Sequence, residues 1–171
     1  QNMKAVLLAA SEDIRMRPLT YTRPKAMLPL ANKPILEHLL LEIKAAGITE
    51  VLIVVGYNGE IIRDYFGNGE TWGISIEYIS QMQQLGTANA VMRTEGRLGD
   101  RFLVINGDIV TRAQDIKKLA NARNIAVLLT TVNNPADLGT VEIEDGIIRH
   151  IQEKIPNPSS RIVSAGLYLL T

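Results

Sequence analysis

The chain has 171 residues, of which 46% are hydrophobic, and 18 Lys and Arg side chains balance 18 Asp and Glu side chains. A chain of this length and hydrophobicity can bury one substantial core, which excludes an intrinsically disordered protein. Because the net charge is zero, no long-range attraction to nucleic acid or to an anionic membrane is expected. The absence of cysteine excludes disulfides, zinc–thiolate sites and cysteine nucleophiles.

The sequence predicts neither a membrane-spanning helix nor a signal peptide. No apolar stretch approaches the ~20 residues of a membrane-spanning helix, and the N-terminus lacks the cationic start and apolar segment of a signal peptide. We therefore expect a cytoplasmic protein. Gln1 and Asn2 precede Met3 and are expected to be an artificial extension, so we take one domain to cover 3–171.

The first predicted unit is strand–helix–strand. The runs KAVLLAA at 4–10 and EVLIVVG at 50–56 are rich in branched residues and do not alternate with polar ones, which is typical of buried parallel strands. Between them, PILEHLLLEIKAAG at 34–47 repeats apolar residues at helical spacing and closes with Gly47 as a C-terminal cap. This pattern predicts a βαβ unit.

The later elements continue the alternation of strands and helices. Asn58 is predicted to cap a second helix, and two alternating runs around Asp145 and Gly146 predict a hairpin. Together the elements predict an α/β fold: a three-layer sandwich with a Rossmann-like, mainly parallel sheet, a small antiparallel hairpin portion, and ligands at the carboxyl ends of the strands. The strands of this sheet are expected to start near Lys4, Val51, Ser75, Phe102 and Ile125.

A cationic loop, SEDIRMRPLTYTRPK at 11–25, directly follows the first strand. Its Arg15, Arg17, Arg23 and Lys25 lie where anions bind in α/β proteins. The loop has no glycine, although phosphate loops usually rely on glycine to bring backbone N–H groups close to the anion. On charge alone, a phosphate site and a solvated basic loop are equally good interpretations.

A longer pattern favours the phosphate site. The segments MKAVLLAA and RMRPLTYTRPKAMLPLANKPILEHLL resemble the opening of the sugar-phosphate nucleotidyltransferases, which join a nucleoside triphosphate to a sugar 1-phosphate and release pyrophosphate. In that family the strand runs into GxGTR, then PxT and PK, which this chain matches at Arg15, Pro18, Thr20, Pro24 and Lys25. The family's Gly, Gly and Thr are replaced by Ser11, Asp13 and Ile14. The resemblance also implies nucleotide contacts at Ala9, Ala10 and Ser11.

The segment QMQQLGTANAV at 81–91 is similar to the family's base-recognition segment. The resemblance puts Gln81 and Gly86 at the nucleobase and Thr87 beside the nucleotide. An amide can donate to and accept from one base edge, and a glycine admits the ring against the backbone, so we expect dTTP or UTP as substrate. The alternative is an ordinary turn between strand and helix.

The segment INGD at 105–108 resembles the family's magnesium-binding strand end, with Asp108 as ligand. Mg²⁺ prefers one or two carboxylates together with phosphate oxygens, which a carboxylate at the end of a buried strand can supply. The alternative role of Asp108 is to cap the next helix. His38 and His150 have no ligand-spaced partner and are interpreted as structural, and Trp72 and Tyr78 as packing residues.

Two further segments, DLGTVEI at 137–143 and IQEKIPNPSSRIVSAGLYLL at 151–170, look like the family's sugar-side segments. The resemblance puts Gly139 at a backbone contact, Glu153 at sugar hydroxyls, Lys154 at the sugar phosphate, and Ala165 and Gly166 beside the sugar ring. The usual EKP is EKI here, and Ser164 replaces a common Asn. Each segment alone could be a solvated strand face, but five segments in the family's order identify the chain as a member.

The resemblance implies a reaction in which an oxygen of a sugar 1-phosphate, expected to be glucose 1-phosphate, attacks the α-phosphate of the triphosphate. The substrate phosphate is already an anion, so the protein needs no nucleophile and acts by positioning and charge neutralisation. Arg15 would hold the triphosphate and stabilise pyrophosphate, and Lys25 would bridge phosphates. Asp108 with Mg²⁺ would complete the site.

Two rival interpretations stay open. Ser11, Asp13 and Ile14 favour a catalytically weak member that acts as a nucleotide-binding regulatory or assembly subunit, and they predict weak triphosphate binding. A plain α/β binding module unrelated to nucleotides is the third possibility. The chain is expected to be incomplete after Thr171, where family members supply a second metal-binding aspartate, and a C-terminal region could add a left-handed β-helix or make a homo-oligomer.

Overall fold

The computed structural model describes residues 3–81, 86–94, 96–136, 138–153 and 158–171, with the backbone alone at 86–88 and 153. Within these ranges, ten strands and four α-helices follow one another along the chain. Their bounds are β1 Lys4–Ala9, β2 Pro29–Leu30, β3 Lys33–Pro34, α1 Ile35–Ala45, β4 Glu50–Val55, α2 Gly59–Phe66, β5 Ser75–Ser80, α3 Gly86–Met92, β6 Phe102–Asn106, α4 Ala113–Ala120, β7 Ala126–Thr131, β8 Gly139–Glu144, β9 Ile147–Glu153 and β10 Ile162–Leu170. In this part of the chain, no helix is long and apolar enough to cross a membrane.

Eight of these strands form one sheet, in the order β5-β4-β1-β6-β10-β8-β9, with β7 also paired to β10. Strands β5, β4, β1 and β6 are parallel, whereas β10 is antiparallel to β6, β7 and β8. The expected mainly parallel sheet with an antiparallel portion is therefore confirmed. All five predicted strand starts agree with the structure to within one residue.

The sheet is covered on both faces, as the three-layer prediction requires. Leu7 belongs to the cluster of buried residues that includes α1, α2 and α4, whereas its neighbour Val6 packs in the cluster that contains Ala90 of α3. Leu7 and Val6 are both fully buried. This alternation explains why β1 is apolar throughout, because both faces of the strand contact helices.

Several predicted turns are confirmed, and one predicted cap is wrong. Gly47 follows α1 with a φ of 91°, the left-handed conformation of a C-terminal cap. Asp145 and Gly146 join β8 to β9 with φ values of 53° and 75°, as a tight hairpin turn requires. Asn58 precedes α2, but its φ is 48° and its side chain makes no capping hydrogen bond, because a capping residue needs an extended backbone.

Three of the four residues interpreted as structural, Trp72, Tyr78 and His38, make structural contacts, whereas His150 is exposed. Trp72 and Tyr78 both contact the larger buried cluster, and the Trp72 Nε1–H donates to Glu37 Oε1 at 3.3 Å. Burial raises the pKa of Tyr78 to about 12, although Arg63 opposes this shift. His38 Nε2 lies 2.7 Å from the carbonyl oxygen of Leu30, which ties α1 to the β2–β3 hairpin.

A side chain from α1 caps the first turn of α4. The Ala113 N–H donates to Glu42 Oε2 at 2.6 Å, in a partly buried position. Arg112, at the N-cap position of α4, makes no side-chain capping bond. Glu42 therefore performs the role that a local Ser, Asp or Asn usually has, and it fixes α4 against α1.

We predict that Glu42→Ala lowers the free energy of unfolding by about 1–2 kcal/mol, because the Ala113 N–H loses its acceptor where water has restricted access. Glu42→Gln keeps an acceptor oxygen and should lose only a few tenths of a kcal/mol, from the missing charge at the helix N-terminus. Urea denaturation of the two variants measures the difference. An unchanged midpoint for Glu42→Ala would contradict the capping role.

Candidate active site

The carboxyl ends of four parallel strands meet at one edge of the sheet. In spatial order, β5, β4, β1 and β6 are followed by Gln81, Gly56, Ala10 and Gly107. Neighbouring strands lie ~4.8 Å apart, so three strand spacings, roughly 14 Å, separate β5 from β6 across this edge. The predicted base-side and metal-side residues therefore share one edge, with the end of β1 between them.

Two glycines at this edge were missed by the sequence interpretation. A Cβ on Gly56 would lie 2.7 Å from the Gln81 carbonyl oxygen and 2.9 Å from that of Ala10. A Cβ on Gly107 would lie 2.9 Å from the Leu8 carbonyl oxygen. Both positions require glycine because backbones approach closely there. The available signal was a glycine at the end of each apolar run.

The cationic loop leaves β1 in a conformation that normally favours glycine. Asp13 has φ 52° and ψ 81°, and a short 3-10 turn, Ile14–Met16, follows it. The hydroxyl of the fully buried Thr20 donates to the Asp13 carbonyl oxygen at 3.2 Å. Aspartate tolerates the left-handed region better than most residues. The loop thus accommodates a non-glycine residue at this position and directs a carboxylate from it.

That carboxylate contacts two of the proposed catalytic cations. Asp13 Oδ1 lies 3.1 Å from Arg15 Nε, and Asp13 Oδ2 lies 3.0 Å from Lys25 Nζ. Lys25 Nζ also lies 3.0 Å from Asp108 Oδ2. The structure thus brings Arg15, Lys25 and Asp108 together, with Asp13 between the two cations. The Asp13 side chain is only 11% exposed, whereas that of Arg15 is 70% exposed.

Asp13 and Lys25 are each stabilised in their charged forms. Burial by itself raises the pKa of Asp13, but the hydrogen bonds and positive charges of Arg15 and Lys25 outweigh it, so this pKa is lowered. Burial likewise disfavours the Lys25 ammonium, but Asp108 and Asp13 outweigh it and raise the pKa of Lys25. Two cations face two carboxylates at neutral pH. The cluster of Arg15, Lys25, Asp13 and Asp108 therefore carries no net charge, although the sequence predicts a basic loop.

Gln81 is buried beside α3. The whole residue is only 5% exposed, and its Nε2 donates to Asn89 Oδ1 at 3.3 Å. Arg93 Nε also donates to Asn89 Oδ1, at 3.2 Å. These contacts orient the Gln81 amide from the helix side. Gly86 and Thr87 begin α3, where the structure describes the backbone alone.

The predicted sugar-side residues approach the same edge through β10. Gly166 has a φ of 79° at an irregularity in β10, and a Cβ there would lie 2.7 Å from Asn106 Nδ2. Because β10 is antiparallel to β6, the residues before Gly166 extend past the carboxyl end of β6. They pair with β8, where Gly139 lies opposite Glu153. Lys154 lies outside the described residues.

Asp108 does not cap the following helix. Helix α4 begins at Ala113, and the Ala113 N–H donates to Glu42. The Asp108 side chain is 32% exposed and accepts from Lys25. No group of three or more His, Asp or Glu side chains in the described ranges could hold a metal ion by itself. A single accessible carboxylate still fits Mg²⁺, which binds proteins through one or two carboxylates and takes its other ligands from phosphates and water.

Comparison with known proteins agrees with this geometry. Residues 4–171 match the family described as Nucleotidyl transferase. The chain is 37% identical over 175 residues to a glucose-1-phosphate thymidylyltransferase of Streptomyces griseus, with 99% of this chain and 49% of that protein covered. It is 35% identical over 173 residues to a mannose-1-phosphate guanylyltransferase of Mycobacterium tuberculosis, with 96% of this chain and 48% of that protein covered.

A solved structure gives the same result for the fold. It is the structure of a protein assigned as a glucose-1-phosphate thymidylyltransferase of Bacillus anthracis, in complex with sucrose. The TM-score is 0.89 at 29% identity, and the match covers 98% of this chain and 71% of that chain. The chain thus spans about half the length of the curated relatives above. Its sequence and its fold both place it in one family, and the chain belongs to the sugar-phosphate nucleotidyltransferases.

Proposed function

We propose that the protein joins a nucleoside triphosphate to a sugar 1-phosphate and releases pyrophosphate. The observation that carries this proposal is the Lys25 ammonium, which lies 3.0 Å from Asp108 at the carboxyl edge of the parallel strands. Ligands of open α/β sheets bind at this edge, and an ammonium beside a carboxylate suits a phosphate that arrives with a cation. The names of the relatives support the same reaction class.

In this reaction an oxygen of the sugar phosphate forms a bond to the α-phosphorus, and the bond from that phosphorus to the bridging oxygen of pyrophosphate breaks. Arg15, whose side chain is 70% exposed, can turn toward the outer phosphates and neutralise the charge of the leaving pyrophosphate. Lys25 is partly buried and held between two carboxylates, so it contributes a positioned charge. Mg²⁺ bound at Asp108 would supply further neutralisation of phosphate charge.

The proposed nucleotide is dTTP or UTP. Gln81 is buried at the far end of the edge from Asp108, and its amide is oriented by Asn89. A buried amide can pair with the imide edge of thymine or uracil through one donor and one acceptor. Gly56 lets the backbone of Gln81 pack closely against the end of β4, which fixes the position of Gln81 at this edge.

The second candidate is a weakly active or inactive member that binds nucleotides as a regulatory or assembly subunit. Its specific support is the Asp13 carboxylate, which already forms ion pairs with both Arg15 and Lys25. A triphosphate that binds there must replace this contact or bring its own cation. This requirement would lower affinity without any change in fold.

We predict that the full-length protein releases pyrophosphate from dTTP only when glucose 1-phosphate and Mg²⁺ are present. Lys25→Ala should lower kcat by roughly 10²–10³, because a positioned charge that stabilises the reacting phosphates is lost. Lys33→Ala is the matched control, since Lys33 lies in β3 and contacts Glu37 at 3.9 Å. It should leave kcat within about threefold of the unmodified protein.

The outcomes of this assay separate the two candidates. Thermal stabilisation by dTTP and Mg²⁺ without pyrophosphate release would favour the regulatory candidate, because a ligand that binds only the native state raises its stability. The absence of both release and stabilisation would contradict both candidates.

We predict that Gln81→Ala weakens dTTP binding about tenfold, which corresponds to ~1.4 kcal/mol for one buried hydrogen bond. Gln114→Ala, at an exposed position in α4, is the control and should not change the affinity. Calorimetric titration with dTTP and with ATP measures both effects. Equal affinity of the unmodified protein for ATP and dTTP would be inconsistent with pyrimidine recognition by Gln81.

A further inference from the structure

We propose that Asp13 is a specificity-determining residue: its carboxylate is a built-in anion that competes for Arg15 and Lys25 and admits only ligands with several adjacent phosphate charges. This inference rests on the proposed function, because it takes the substrate's phosphates to bind at this loop. It adds a step that selects ligands by their charge, and Asp13, which replaces one of the family's glycines, performs this selection.

The geometry of the Asp13 carboxylate resembles that of a bound phosphate. One oxygen contacts Arg15 Nε at 3.1 Å and the other contacts Lys25 Nζ at 3.0 Å, so the group bridges the two cations. A weaker contact, at 3.4 Å, joins Arg15 Nη2 to Asp13 Oδ2. The two charge-assisted contacts come from different side chains and use both oxygens, which is how an incoming phosphate would bind the same cations.

The carboxylate is held in place by the backbone of the loop. The Asp13 carbonyl oxygen accepts from Thr20 at 3.2 Å, and the Asp13 N–H donates to Ser11 Oγ at 3.3 Å. The side chain is only 11% exposed, so solvent screens its ion pairs less than those of an open surface pair. A group tethered beside its partners competes at an effective concentration on the order of millimolar or higher. A free anion therefore has to bind more strongly than this internal one.

The charge of the ligand decides the competition. Inorganic phosphate offers one phosphate group against a tethered carboxylate, so it gains little by exchange. Pyrophosphate and triphosphate can contact Arg15 and Lys25 with separate phosphate groups, and they carry more charge than the carboxylate that they replace. Asp13 thus makes the loop selective for polyphosphates.

The neighbouring acid provides a natural control. Glu12 contacts Arg17 at 2.7 Å, and its side chain is 14% exposed. Glu12 and Asp13 are adjacent, similarly buried acids, but no contact described for Glu12 involves Arg15 or Lys25. Removal of either charge changes the net charge of the loop equally. Only the loss of the Asp13 charge removes a carboxylate contact from both proposed phosphate-binding cations.

The test is calorimetric titration of the full-length protein with inorganic phosphate, pyrophosphate and tripolyphosphate, without metal. Asp13→Asn removes the charge and keeps a residue type that tolerates the left-handed backbone. We expect it to bind pyrophosphate at least tenfold more tightly than the unmodified protein and to bind phosphate measurably. Glu12→Gln should stay within about threefold of the unmodified protein for all three anions.

Three results would overturn the proposal: Asp13→Asn without tighter anion binding, equal tightening by Glu12→Gln, or no anion binding by any of the proteins. Should Asp13→Asn fail to fold, Asp13→Gly removes the same charge and suits the same φ, so the expectations transfer to it. These outcomes concern inorganic anions alone. They are independent of pyrophosphate release from dTTP, so failure of this inference and failure of the proposed function are distinguishable.

Discussion

Parallel pairing of β1 on both sides is the constraint on which the candidate site depends. β1 runs between β4 and β6, in register from Lys4 to Ala9 with one and from Lys4 to Leu8 with the other. Its residues pack into both layers of helices, so the strand cannot shift without exposing one apolar face. The loop that leaves β1 must therefore start in the middle of the carboxyl edge, between the ends of β4 and β6.

This position explains why backbone contacts crowd the edge. The chain segments that leave neighbouring parallel strands approach one another here, and Gly56 and Gly107 permit that approach beside the Ala10 and Leu8 carbonyl oxygens. Gly166 performs a similar role where β10 passes Asn106. Gly56 and Gly107 flank the end of β1, and Gly166 lies on the far side of β6. Glycines and charged side chains together determine the shape of this edge.

The charge distribution at this edge differs from that expected of a phosphate-binding loop. Lys25 contacts a carboxylate from its own loop and a carboxylate from the end of β6, so one ammonium joins two segments distant in sequence. Desolvation disfavours the charges of Asp13 and Lys25, but their oppositely charged neighbours more than compensate. The four charges sum to zero, and under the proposed function a phosphate ligand would have to exchange partners with them.

The sequence by itself determined the starts of five strands, the helix α1, the hairpin at Asp145 and Gly146, and the location of Arg15, Lys25, Gln81 and Asp108 near strand ends. These features depend on local apolar patterns and turn residues, which act over a few neighbouring positions. Only the tertiary structure decided that Asp13 binds Arg15 and Lys25, that Glu42 caps α4 in place of a local residue, and that the Asn58 side chain makes no cap. It also decided that Gly56 and Gly107 have no room for a Cβ. The Asp13–Lys25 contact, the Glu42 cap and the crowding at the two glycines depend on which distant backbones and charges become neighbours when the sheet forms. The Asp13–Arg15 pair and the uncapped Asn58 depend on left-handed backbone conformations that apolar patterns do not indicate.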